Sequence, residues 1–147
     1  MDDIDRRIVG ALRVQGRISF RELGRLANLS PNATAERVAR LQERGVITGF
    51  TAQISPEAIG LALQAFIDLK LKPGASMDAF ERALSRIDAV EDAASVTGLF
   101  DVRLRVACKD PAHLGQLIEL LRSVTGVQET SSTVICRSLQ LTRAKMQ

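Results

Sequence analysis

Apolar residues recur at Ile4, Ile8, Ala11 and Leu12, a spacing that puts them on one side of a helix. Acids open this segment, as suits the positive end of a helix dipole, and Gly16 stands where a left-handed cap would close it. Ser19 and Glu22 have capping-box spacing, and Phe20, Leu23, Leu26 and Ala27 predict the inward stripe of a short second helix. Ser30 followed by Pro31 starts a third helix, with Thr34, Val38 and Leu41 inward and Gly45 as its stop. Only "NLS" separates the second and third helices. So short a turn makes them cross steeply, a helix-turn-helix, and Asn28 can take the left-handed backbone such a turn needs.

Beyond Gly45, "VITGFTAQI" reads as a strand or extended linker, and "SPEAIG" as one helical turn capped by Ser55 and stopped by Gly60. From Leu61 the period becomes two: Leu63, Ala65, Ile67, Leu69 and Leu71 alternate as one face of a strand. Ser76 caps a helix running to about residue 86, with Met77, Phe80 and Leu84 inward. "VEDAASVTG" and "FDVRLRVAC" are two more strands. Asp110-Pro111 opens a helix with Leu114, Leu117, Ile118 and Leu121 inward, and "VQETSSTVICRSLQL" is a last strand. The order β-α-β-β-α-β, with a faint repeat between "LSRIDAVED" and "LRSVTGVQE", predicts a split-βαβ, ferredoxin-like sandwich. The fold class is therefore α+β. A helix-turn-helix domain over 1–50, winged-helix-like, is followed by a hinge over 51–60 and a ferredoxin-like domain over 61–147. Helices cover one face of such a sheet. The other face, expected to carry apolar residues, needs a second chain.

Charge changes this picture by its distribution. Residues 1–50 carry nine arginines against six acids, a net +3, whereas residues 51–147 carry eleven basic and eleven acidic residues. A basic first third on a neutral body points to a polyanion partner, with a merely solvated arginine face as the alternative. No apolar run reaches the ~18 residues a membrane helix requires, and no secretory leader is recognised, so a cytoplasmic protein with no membrane partner is expected. Cys108 and Cys136 stand far apart with His113 as the sole imidazole, which predicts two reduced thiols and no metal site. No catalytic set, phosphate loop or cofactor motif is present, so no catalytic residue and no cofactor is assigned.

The third helix carries the candidate chemistry. Its N-terminal end offers Ser30, Asn32 and the small Ala33 beside Thr34. Small residues allow approach to base edges, and Asn can pair with adenine. Arg37, Arg40 and Arg44 are long cations suited to phosphates, and Arg17, in the turn after the first helix, joins them as a DNA-binding candidate.

Quoted in order, "IDRRIVGALRVQGRIS", "LANLSPNATAERVARLQERGVITGF", "VTGLFDV" and "GVQETSSTVI" resemble the first helix, recognition segment, Gly-x-aromatic-Asp loop and last strand of the Lrp/AsnC family of transcription regulators. The resemblance covers nearly the whole chain. It departs at Asn28, where the family usually has Gly, at Val102, where an aromatic is common, and at Ser132, where Thr is common. It implies a sequence-specific regulator on double-stranded DNA, tuned by a small amino acid. It also implies dimers joined through their sheets, commonly assembled into an octamer. The effector positions carried over are Thr97, Gly98, Leu99 and Asp101 in one loop, with Thr130, Ser132 and Val134 on the last strand. Asp101 would pair the effector's ammonium group; the alternative makes Gly98 a hairpin glycine and Asp101 a turn acid. Two other classes remain as alternatives. A tetrapyrrole decarboxylase resembling this family would be expected to use imidazoles or tyrosine, and this chain has one His and no Tyr. A stand-alone amino-acid-sensing module would leave the basic third unexplained.

Overall fold

The structure, a computed structural model, describes residues 1–139. They form two compact units, Met1–Gln53 and a second beginning at Ile54. The expected last strand runs to Leu141; the observed one stops at Val134, and residues 140–141 lie outside the described residues.

The first unit is three helices: α1 (Asp3–Val14), α2 (Phe20–Ala27) and α3 (Pro31–Glu43). Each start is a local hydrogen bond. Ser19 Oγ accepts the Glu22 N–H and Ser30 Oγ accepts the Ala33 N–H. At α1 the full reciprocal box is built from two acids, Asp2 and Asp5, each accepting the other's backbone N–H. Asn28 ends α2 in the left-handed region, at φ 55° and ψ 46°. Gly24 permits the tight turn that follows: a Cβ there would lie 2.6 Å from the Leu29 carbonyl oxygen and 3.0 Å from Thr34 Oγ1. Ile8, Leu23, Ala27, Val38 and Leu41 form the core. Each fully buried Ile or Leu contributes roughly 1.5–3 kcal/mol.

Three expectations fail here. Gly16 does not adopt a left-handed conformation; α1 ends at Val14 with Gln15 as its cap. Phe20 and Leu26 are exposed, because an eight-residue helix wedged between two others buries only Leu23, Gly24 and Ala27. The stretch after Gly45 takes the extended-linker alternative and forms no strand. A strand needs a hydrogen-bonding neighbour, and among the described residues of the first unit no strand offers one.

In the second unit a 3₁₀ turn (Glu57–Ile59) precedes β1 (Leu63–Leu71), α4 (Met77–Leu84), β2 (Val90–Ser95), β3 (Val102–Cys108), α5 (Pro111–Ser123) and β4 (Val127–Val134). The strand order is β2-β3-β1-β4, every neighbour antiparallel, which is the ferredoxin-like arrangement expected. Ala65, Ile67, Leu69, Val102, Leu104 and Val106 pack on Phe80, Leu84, Leu114, Leu117 and Leu121 of the two helices. Met77 is exposed rather than inward, since it occupies the first position of α4. The uncovered sheet face also departs from expectation. It presents Phe66 among polar residues, with Arg103 bonded to Asp68 and Arg105 to Gln64, rather than an apolar surface.

Candidate nucleic-acid interface and effector site

Burial of Thr34, Val38 and Leu41 fixes which side of α3 meets the protein. Asn32, Glu36, Arg40 and Glu43 stand on its exposed side, and Arg44 continues it as the cap. The Arg40 side chain is 70% exposed, with one loose contact to Glu36 at 3.7 Å, so it can reach a phosphate. Arg17 and Ser30 are also exposed, although the Ser30 hydroxyl already caps the helix. Ala33 is half-buried beside it.

Two members of the sequence-derived set are placed otherwise. Thr34 is fully buried and its hydroxyl donates to the Ser30 carbonyl at 2.8 Å, so it cannot touch a base edge. Arg37 is half-buried and held by two carboxylates of α1. Its Nη1 donates to Asp2 Oδ2 at 2.6 Å and to Asp5 Oδ1 at 2.8 Å. The backbone N–H of Asp5 and the Arg37 guanidinium together hold the Asp2 carboxyl below the usual carboxylate range. Arg21 and Arg25, exposed on α2 one turn apart, were not singled out; their i, i+4 spacing was the available signal.

The second candidate site surrounds the loop between β2 and β3. Gly98 sits at φ 119°, where other residues are strained, and Leu99 projects with 85% exposure. Thr97 and Leu99 line an open cavity of about 630 Å³ together with Ser95, Phe100, Asp68 and Arg103. Asp68 and Arg103 face each other across β1 and β3 in a two-pronged pair of 2.7 and 2.9 Å. The guanidinium also lies 5.6 Å from the centre of the Phe66 ring. Sequence reading missed Asp68 and Arg103; the signal was two opposite charges on adjacent strands.

Asp101 does not point a free carboxylate at this cavity. Its Oδ2 accepts the Leu71 N–H at 2.8 Å and its Oδ1 lies 3.5 Å from Lys70 Nζ. The Leu71 N–H first, and Lys70 second, keep its carboxyl below the ordinary range. Asp101 therefore ties the loop to β1, the turn-acid alternative. Nor are Thr130, Ser132 and Val134 beside the loop's cavity. They pair with Leu69, Ile67 and Ala65, whose side chains enter the core, so they share the helix-covered face. Thr130 Oγ1 accepts from Arg122 Nε of α5. The cavity of Thr97 and Leu99 opens on the Asp68–Arg103 face, opposite the face that carries Thr130, Ser132 and Val134. The sole imidazole has a structural part: His113 Nδ1 accepts the Lys109 N–H. Among the described residues no cluster of metal-ligating side chains occurs, and no helix is long and apolar enough to cross a membrane.

Comparison with known proteins gives two family matches. Residues 1–42 match the AsnC-type helix-turn-helix domain and residues 64–144 the Lrp/AsnC ligand binding domain. The chain is 40% identical to the HTH-type transcriptional regulator LrpA of Mycobacterium tuberculosis, over 92% of this chain and 89% of that protein. It is 32% identical to the leucine-responsive regulatory protein of Escherichia coli, over 95% and 87%. Among solved structures, a feast or famine regulatory protein of M. tuberculosis complexed with L-methionine superposes with a TM-score of 0.89 at 38% identity, covering 97% of each chain.

Proposed function

The chain belongs to the Lrp/AsnC family of DNA-binding transcription regulators, and on that premise we propose that it reads double-stranded DNA with α3 and answers to a small amino acid through its second unit. One observation carries the DNA reading: Asn32, Arg40 and Arg44 are exposed on a helix whose opposite side is filled by core residues. Asn32 reads a base edge, while Arg40, Arg44 and Arg17 hold phosphates. The domain match over residues 1–42 removes the stand-alone sensor reading. The decarboxylase reading finds no support in His113, whose acceptor nitrogen is occupied. Changing Arg40 to Ala should weaken binding to every duplex and reduce the salt slope by about one unit. An unaltered slope and affinity would mean that α3 faces elsewhere.

The effector reading is supported by the open cavity at Thr97 and Leu99 and by the methionine complex of the relative. Because Thr130, Ser132 and Val134 occupy the other face, one chain cannot bring both sets onto one ligand. A site that uses both sets takes one from each of two copies, so the working form is a dimer or a larger ring. The polar sheet face suits such a contact, since Asp68, Arg103 and Arg105 can bond a partner as they bond each other. The test mixes two variants, Thr97→Val and Ser132→Ala, each expected to lose the thermal shift given by L-methionine. Assembly of the pair should restore part of that shift. No restoration, with both variants still oligomeric by light scattering, would place the whole site within one chain.

A further inference from the structure

We propose that Arg37 is a positioning residue for the DNA-reading helix, clamped by Asp5 and Asp2 of α1 rather than spent on phosphate. The proposal rests on the reading of α3 given above. α3 is anchored by a single stripe, Thr34, Val38 and Leu41, and packs more extensively on α2 than on α1. A stripe of apolar contacts resists separation better than small rotations about the helix axis. The polar strut to α1 opposes those rotations. Asp5 is only 7% exposed, and a carboxylate so placed needs a cation. Arg37 supplies one at 2.8 Å, while Arg44 Nη1 stands 4.0 Å from the other Asp5 oxygen. Asp2 completes the clamp at 2.6 Å and is itself fixed by the reciprocal cap of α1. One guanidinium thus joins the start of the chain to the middle of α3, three residues before Arg40 and five after Asn32. Rotation of α3 would displace Asn32 from a base edge far more harmfully than it would displace Arg40 from a phosphate, because base pairing is directional and phosphate attraction is not.

The acids make the test a matter of sign. Asp2 and Asp5 are negative charges near a helix that meets a polyanion. If they acted only through charge, or if Arg37 were a phosphate contact that they mask, removing one would tighten DNA binding. If they position α3, removing one weakens specific binding instead. Fluorescence anisotropy with two probes decides: a duplex selected by the wild-type protein from a random pool, and poly(dI-dC). Arg37→Met and Asp5→Asn should each lower affinity for the selected duplex by about tenfold or more and for poly(dI-dC) by under about threefold. The salt slope of Arg37→Met should match wild type, and Arg37→Lys, which can reach one carboxylate, should recover part of the loss. A protein that was merely less folded would lose both probes equally, which thermal melting would also register. If Asp5→Asn does not fold, Asp2→Asn, at an exposed carboxylate, gives the same comparison. Tighter binding by either acid variant, or a slope reduced by about one unit in Arg37→Met, overturns the proposal. Failure of the α3 reading itself would show separately, as an Arg40→Ala protein with wild-type affinity and slope.

Discussion

Each unit contains one nearly buried aspartate bonded to an arginine, and the two pairs do different work. Asp5–Arg37 bridges helices that no backbone bond joins, so its loss frees one helix against another. Asp68–Arg103 lies across strands already laced together by the β1–β3 ladder, so its loss changes a surface and hardly a geometry. The same chemistry is a strut where the backbone leaves a degree of freedom and a lining where it does not. Polar pairs in helical packings therefore deserve scrutiny as orientation devices, and pairs on sheets as recognition surfaces.

The largest effects should come from what holds each unit independently of its pair. Leu104→Ala empties the sheet core beneath the strand that carries Arg103 and should cost about 2–5 kcal/mol. Gly24→Ala forces a methyl against the Leu29 carbonyl oxygen and should cost about 1–3 kcal/mol. Segment-resolved hydrogen exchange should show each loss confined to its own unit; equal loosening of both units would merge the two regions being compared.

A smaller effect separates the pairs directly. Asp5→Asn should raise exchange in α1 and α3, whereas Asp68→Asn should leave β1 and β3 protected and alter only how the cavity at Thr97 and Leu99 takes L-methionine. Reversal of that pattern would break the contrast.

The smallest effect is on pH. Asp2 in the first unit and Asp101 in the second both have carboxyls held below the usual range, by the Asp5 N–H with Arg37 and by the Leu71 N–H with Lys70. A depressed folded-state pKa contributes stability above the unfolded value of about 4 and loses it as pH falls through the folded value. Both units should therefore keep their melting temperature from pH 7 to about 5 and lose it only below about 4. Asp101→Asn should flatten that acid limb for the second unit alone.

Much of this was legible along the chain because it is local. Ser19, Ser30, Ser76 and Asp110 cap helices by bonding N–H groups three residues on, and period-two alternation places Ala65, Ile67 and Leu69 inward whatever surrounds them. Asn28 in the left-handed turn belongs to the same class. Such features involve residues within one turn or one strand, so the sequence by itself determined the elements, their order and the two-unit architecture. What a side chain does after that depends on partners far along the chain. Arg37 and Arg40 look alike in sequence, yet one meets Asp2 and Asp5, more than thirty residues away, and the other meets little beyond solvent and Glu36. Asp101 could be a free carboxylate until β1 brings the Leu71 N–H beneath it. Strand register put Thr130, Ser132 and Val134 on the face opposite Asp68 and Arg103, which line the cavity of Thr97 and Leu99, because side chains alternate and one residue of register exchanges the faces. Tertiary structure decided which charges are free, since a charge is free only when the fold brings it no opposite partner.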